Sequence, residues 1–222
     1  MEEAASILIL LTGFALGFVH SFDPDHVVAV STLLCNNTSL RKSIVSATAW
    51  GGGHSITLFL VGLLVLALRV VIPASVFTLF EFAGGVLLVI LGILVVKPLI
   101  HPHDNQDSTN THLHVHSTDS GKGHTHLDRS AVTGVLQGLG GSAALMLVTL
   151  TTVSSAGLGL VFILFFGAGV ILGMVGIACL ISSLIAFTAS RLEKVHKAIK
   201  AVTGSASIVF GVFIIVQVAV QL

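Results

Sequence analysis

The sequence predicts an all-α integral membrane protein with six transmembrane helices. Of its 222 residues, 54% are hydrophobic and 9% are charged, whereas soluble domains carry about 25% charged residues. Six apolar stretches are long enough to cross a hydrocarbon core about 30 Å thick. They lie near residues 5–34, 43–71, 75–96, 131–153, 158–187 and 198–222. None alternates in the manner of a barrel strand, so each stretch is predicted to be a helix.

The basic residues predict how this bundle is oriented. All Lys and Arg residues except Arg69 fall in the loops after the first, third and fifth spans. They are Arg41, Lys42, Lys97, Lys122, Arg129, Arg191, Lys194, Lys197 and Lys200. The positive-inside rule places these loops in the cytoplasm and both termini outside, in a multi-pass protein of the plasma membrane. The N-terminal MEEAAS lacks the basic residues of a cleavable signal peptide, so we expect the first span to be retained.

The heptapeptide HSFDPDH interrupts the first span with ionisable side chains. Such groups at bilayer depth cost about 2.5–3.5 kcal/mol each on insertion scales, so they are rare and usually functional. On an unbroken helix, His26 would lie about 240° round the axis from His20, and the two could not meet at one ion. Pro24 removes a backbone donor, so helix 1 is predicted to break there, with Asp23 as the cap of the second half. The break would turn His20, Asp25 and His26 toward one cavity.

A histidine in the second span adds to this cluster. The stretch WGGGHSIT places His54 well inside helix 2, beside helix 1, and its three glycines allow another backbone to approach closely. Three imidazoles and a carboxylate suit Ni²⁺, Co²⁺, Zn²⁺ or Cu²⁺ better than Mg²⁺ or Ca²⁺, which prefer oxygen ligands. The predicted metal site therefore consists of His20, Asp25, His26 and His54. The alternative is that these histidines only form hydrogen bonds to neighbouring helices.

Four further polar residues are weaker candidates for the same site, namely Ser21, Asp23, Gln137 and Glu81. Asp23 is favoured as a helix cap rather than as a ligand. Gln137 either contributes a neutral oxygen or forms only a packing hydrogen bond. Glu81 lies several residues inside helix 3 on the outer side, where it would attract cations, couple protons or reach the interface.

The two halves of the chain resemble each other. GFALGFVHS at 13–21 aligns with GVLQGLGGS at 134–142, and AGGVLLVILG at 83–92 aligns with VTGSASIVFG at 202–211. Because each half has an odd number of helices, the two repeats would have opposite topology. Inverted repeats with a polar site near the midplane are typical of secondary transporters.

A polar segment joins the two predicted repeats. The first repeat is expected to span 1–96 and the second 131–222, and the loop between them, 97–130, holds seven of the eleven histidines. These are His101, His103, His112, His114, His116, His124 and His126. The loop is too polar to bury a core, so we expect it to be disordered. Its histidines would bind divalent metals weakly, as a sponge or sensor, unless the loop is only a solvated linker.

These motifs resemble those of the nickel/cobalt transporter family. HSFDPDH fits the family's H-x4-D-H signature, so His20, Asp25 and His26 correspond to the signature residues. GGGHS resembles the family's glycine-preceded His-Ser motif, to which His54 corresponds. The stretches GSAAL and FGAGVILGM resemble the shorter, six-helix members of the UreH type. The resemblance implies a permease that moves Ni²⁺ or Co²⁺ without ATP.

The sequence thus predicts a secondary transporter for a divalent transition metal, nickel or cobalt before zinc, that works by alternating access. Its expected partners are membrane lipid, the ion and a cytoplasmic metal chaperone. The zero net charge gives no reason to expect a nucleic acid partner, and we expect neither a prosthetic group nor enzymatic activity. Two other functions stay open: export of a small anion such as sulfite, which would need basic groups in the cavity, and an intramembrane metalloenzyme with Asp23 or Asp25 as general base. The direction of transport, the coupling ion and the oligomeric state do not follow from the sequence.

Overall fold

The computed structural model describes residues 2–37, 39–68, 73–100, 124–140 and 155–221. All regular secondary structure in these ranges is helical, and it forms seven helices. They are α1 (Glu2–His20), α2 (Pro24–Leu34), α3 (Leu40–Leu68), α4 (Ala74–Ile100), α5 (His124–Gln137), α6 (Ala156–Arg191) and α7 (Glu193–Gln221). Because α4 runs to Ile100 and α5 begins at His124, helix enters the segment predicted as a loop from both sides.

Most of these helices can cross a membrane. The apolar parts of α3, α4, α6 and α7 contain 27, 25, 34 and 28 residues, and the bent pair of α1 and α2 has the length and composition of one broken span or of a re-entrant loop. The prediction of an all-α membrane protein is confirmed. The fourth predicted span, 131–153, begins within α5, and its residues 141–153 lie outside the described part of the chain.

The break in the first span lies where the sequence predicts it. α1 ends at His20, α2 begins at Pro24, and the two helices are bent by 58°. Asp23 is the N-cap residue and Pro24 takes a first-turn position, where its missing N–H leaves no helical hydrogen bond unmade. The Asp23 N–H donates to the His20 carbonyl and the His26 N–H donates to the Asp23 carbonyl, each at 3.0 Å. These backbone groups are therefore paired inside the break, as burial in a bilayer requires.

Glycines bring two pairs of helices into close contact. Where α1 packs on α6, a Cβ on Gly17 would overlap the backbone carbonyl of Phe166. Where α5 packs on α3, a Cβ on Gly134 would overlap the backbone carbonyl of Trp50. Small residues at such crossings let two backbones approach closely, which is a main source of helix association in lipid.

The α4 and α7 helices pack antiparallel through another set of glycines. Gly85 faces the carbonyl of Gly211, and Gly92 faces the carbonyl of Gly204. The residue number falls along α7 as it rises along α4, so the two helices run in opposite directions. Both glycine positions on each helix belong to the stretches that align between the two halves of the sequence.

The apolar core lies between α2, α3 and α6. Its buried members include Leu34, Trp50, Val170 and Met174, each at most 1% exposed. Large apolar side chains on the outer faces are exposed instead, as at Val220, and this suits contact with lipid chains. The core thus packs directly behind the residues of the broken helix.

Candidate metal centre

The break in the first span brings three histidines together. His20 ends α1 and His26 lies in the first turn of α2, and their ring centroids are 4.6 Å apart. His54 reaches them from α3, with its ring centroid 5.2 Å from that of His20 and 5.0 Å from that of His26. One ring nitrogen from each of the three lies within 4.8 Å of the others. His26 and His54 are each 1% exposed and His20 is 9% exposed, so the cluster is buried.

The spacing of two ring nitrogens fits a shared ion. The Nε2 atoms of His20 and His54 are 3.3 Å apart. Two nitrogens bound tetrahedrally to one ion, each at about 2.0–2.1 Å, lie about 3.3 Å from each other. Without an ion, the same distance suits a hydrogen bond in which one ring donates to the other. The Nδ1 atom of His54 is buried and has no hydrogen-bond partner among the described residues.

Asp23 orients the ring of His20. Its Oδ2 atom lies 2.8 Å from His20 Nδ1, which leaves Nε2 directed at His54. Metal-binding histidines commonly donate their second ring nitrogen to a carboxylate in this way. Asp23 occupies the N-cap position as expected, but its carboxylate makes no capping hydrogen bond. The carboxylate therefore contacts His20 instead of capping α2.

Asp25 lies beside His26 rather than inside the three-histidine cluster. Its Oδ2 atom is 3.4 Å from His26 Nε2, and with Asp23 the two form a second group whose ligand atoms lie within 4.8 Å. The Nδ1 atom of His26 is 3.3 Å from the His20 carbonyl, to which it can donate. A neutral His26 would then direct a lone pair at the Asp25 carboxylate. Two electron-rich groups in this arrangement favour a bound cation close by.

Trp50 and Gln137 form a buried hydrogen-bonded link behind the histidines. The Trp50 ring stacks on His54 at 5.2 Å and meets His26 edge-on at 4.9 Å. Trp50 Nε1 donates to Gln137 Oε1 at 3.0 Å, and Gln137 Nε2 donates to the Asp25 carbonyl at 3.3 Å. Gln137 therefore ties α5 to α2 and α3. The sequence reasoning missed Trp50, although it lies four residues before His54 and hence on the same helix face.

The remaining weaker candidates lie on different sides of the cluster. Ser21 is fully buried, but its hydroxyl donates to the Phe18 carbonyl at 2.6 Å. Glu81 lines a cavity of about 210 Å³, together with Asp23 and Asp25. The three imidazoles do not line this cavity, so the two aspartates stand between it and the histidine cluster.

Five of the seven loop histidines fall outside the part of the chain that the structure describes. They are His101, His103, His112, His114 and His116. The backbone of His124 and His126 forms the first turn of α5. Their role in binding metal stays a prediction.

An all-helical membrane bundle with a buried imidazole cluster at a helix break is the class of protein that these observations define. The chain is 38% identical over 213 residues to the urease accessory protein UreH of Bacillus sp. (strain TB-90), covering 96% of this chain and 92% of that protein. It is 27% identical over 183 residues to a protein of Methanocaldococcus jannaschii named as a candidate nickel/cobalt efflux system, covering 80% of this chain and 78% of that one. No protein-family model and no solved structure matches the chain. The chain belongs to the nickel/cobalt transporter family, as a UreH-type member.

Proposed function

We propose that the protein is a permease that moves Ni²⁺ or Co²⁺ across the membrane without ATP. The observation that carries this proposal is the cluster of His20, His26 and His54, three imidazoles buried at a helix break inside a membrane bundle. Imidazole nitrogens are preferred ligands of these ions. The name of one relative, a candidate nickel/cobalt efflux system, supports the same substrate.

The charges around the cluster suit a divalent ion. The imidazoles of His20, His26 and His54 would replace part of its hydration shell, and Asp23 would hold His20 in the correct tautomer. The carboxylates of Asp23 and Asp25 carry two negative charges, which match the two positive charges of the ion. Pairing charges lowers the cost of burying each of them in a medium of low dielectric. The bound ion would therefore be held as a nearly neutral unit.

The cavity beside the cluster favours a cation over the alternatives. Its described lining contains the carboxylates of Asp23, Asp25 and Glu81, with no Lys or Arg. A sulfite-like anion would be repelled there. The name of one relative, a candidate efflux system, favours transport over a metalloenzyme.

The glycine contacts support two inverted repeats, over 1–96 and 131–222. In the sequence alignment Gly85 matches Gly204 and Gly92 matches Gly211. In the bundle Gly85 faces Gly211 and Gly92 faces Gly204. Such exchanged contacts are what a two-fold axis produces, because each position meets the counterpart of its partner. We propose that the two halves rock about this axis to expose the ion to either side in turn.

The repeats would be unequal at the metal site. Gly17 packs on the backbone carbonyl of Phe166, and its counterpart Gly138 packs on the backbone carbonyl of His54. Phe166 thus takes the place in the second half that His54 takes in the first. Its ring lies 5.3 Å from that of His20. We propose that the first repeat supplies the imidazole ligands, while Phe166 shields one side of them from water.

Uptake of radioactive nickel over short times tests the proposal. The host should lack its own nickel transporters and express the wild type, His26→Ala or the control His196→Ala, which changes a histidine outside the cluster. An importer raises cell nickel above the empty vector and an exporter lowers it. In either case His26→Ala should abolish the effect and His196→Ala should keep it. If neither nickel nor cobalt levels respond to the wild type, the proposed function is wrong.

A further inference from the structure

The cavity next to the histidine cluster is large enough for a hydrated ion. Its volume is about 210 Å³, several times the roughly 30 Å³ that one water molecule occupies in the liquid, so an ion can enter it together with water. Side chains with oxygen atoms that line it include Asp23, Asp25, Glu81 and Gln217. Hard oxygen ligands and water suit the first stage of ion capture, before imidazoles replace the hydration shell.

The cavity lies toward one end of the bundle. Glu81 is about two turns from the beginning of α4, and Gln217 lies in the last turns of α7. The basic side chains of these two helices are at their opposite ends, with Lys97 on α4 and Lys194, Lys197 and Lys200 on α7. The cavity is therefore on the side that lacks this positive charge.

The other side of the cluster is closed by apolar packing. Val30, Leu34 and Ala47 lie beyond the histidines toward the start of α3, and each is 1% exposed. Trp50 is fully buried among them. The polar side chains buried toward that end, such as Ser43 and Thr32, are uncharged hydroxyls, whereas an ion meets carboxylates on the cavity side.

Two carboxylates connect the cavity with the cluster. The Asp23 side chain is 40% exposed and lies 2.8 Å from His20, and the Asp25 side chain is 31% exposed and lies 3.4 Å from His26. Each carboxylate therefore contacts an imidazole while remaining open to the cavity. An arriving cation can be bound by these oxygens first and by the neighbouring nitrogens next, without crossing an apolar barrier.

We infer that this cavity is the route by which a hydrated divalent cation reaches the histidine cluster, and that Glu81 is the carboxylate that draws the cation in. The inference rests on the proposed function and adds to it a path and a residue. Glu81, on α4, lines the same cavity as the two aspartates. A cleft lined by one sign of charge raises the local concentration of the opposite ion.

A thiol placed in the cavity tests the route. A Cβ on Gly84, which lines the cavity, would have no neighbour within 4 Å, so Gly84→Cys should fit. Gly176→Cys is the matched control, because a Cβ there also has no neighbour within 4 Å and the residue is exposed on α6, away from the cavity. Both variants are made with Cys35 and Cys179, which form no disulfide, changed to Ala. A cationic, membrane-impermeant methanethiosulfonate is then applied to intact cells.

We expect the reagent to modify Gly84→Cys and to spare Gly176→Cys. NiCl₂ at ten times its Kd should slow the modification about tenfold, because about one-tenth of the sites stay free. Adding Glu81→Gln should raise the NiCl₂ needed for this protection about 3- to 10-fold, whereas Glu3→Gln, an exposed carboxylate on α1, should not.

Two results would overturn the inference, namely no modification of Gly84→Cys or modification that NiCl₂ does not slow. If Gly84→Cys fails to reach the membrane, Gly140→Cys replaces it, since the nearest neighbour of a Cβ there is the Gln137 carbonyl at 3.5 Å. The nickel uptake assay on the same cells separates the two failures. If the cells take up nickel but NiCl₂ does not slow the modification, the proposed function stands and the proposed route is wrong. If the cells transport no nickel, both the proposed function and the route are wrong.

Discussion

Trp50 makes binding at the histidine cluster directly observable. It is the single tryptophan of the chain, and its ring is 5.2 Å from that of His54. Ions with unfilled d shells quench indole fluorescence at such distances, so Ni²⁺ or Co²⁺ should quench the purified protein in a saturable manner. His20→Ala removes one ligand from the cluster. We expect it to raise the Kd at least as much as the loss of an outer-shell partner does, about 10- to 100-fold.

The control for this titration is Mg²⁺, which prefers oxygen ligands and should leave the fluorescence unchanged. A second control is His196→Ala, whose fluorescence Ni²⁺ should quench as it does that of the wild type. If His20→Ala binds Ni²⁺ as tightly as the wild type, the ion lies elsewhere and the cluster is only a hydrogen-bonded core.

Among single residues, the sequence predicts the imidazoles of the cluster but not the side chains that pack behind them. His20, His26 and His54 are conspicuous because histidines at bilayer depth are costly. The bond between Trp50 and Gln137 depends on how closely α5 packs on α3, which no local pattern encodes. For the same reason the sequence leaves Gln137 open between a ligand and a packing residue, while the bundle gives both ends of its amide a partner.

Among the helices, the contact between α1 and α6 positions His20. A Cβ on Gly17 would overlap the Phe166 backbone, so Gly17→Ala should force the helices apart and displace His20, which lies one turn further along α1. Overpacking of this kind costs about 1–3 kcal/mol. We expect a lower apparent Tm in detergent and weaker quenching by Ni²⁺. The control Gly157→Ala adds a Cβ with no neighbour within 4 Å, so its Tm should not fall.

If Gly17→Ala melts as the wild type does, α1 and α6 can adjust without loss and the position of His20 does not depend on their contact.

The sequence predicts the break between α1 and α2, because Pro24 leaves few ways to continue a helix. It predicts the matching glycines as well. It does not predict that Gly85 faces Gly211, since this pairing arises only when two distant helices pack.

The orientation of the whole molecule determines the side of the membrane to which the cavity opens. Arg41 and Lys42 begin α3 and the lysines of α7 lie near its start. From the positive-inside rule we expect these ends in the cytoplasm and the mouth of the cavity outside. In a background without Cys35 and Cys179, we expect a thiol at Pro73→Cys, before α4, to react with an impermeant reagent in intact cells. A thiol at Asn36→Cys, after α2, should react only after permeabilisation. Both positions are exposed on the protein surface, so any difference in their reaction reports the side of the membrane on which each lies. The reverse pattern would invert the bundle, and Glu81 would then collect ions from the cytoplasm, as a transporter that exports nickel or cobalt requires.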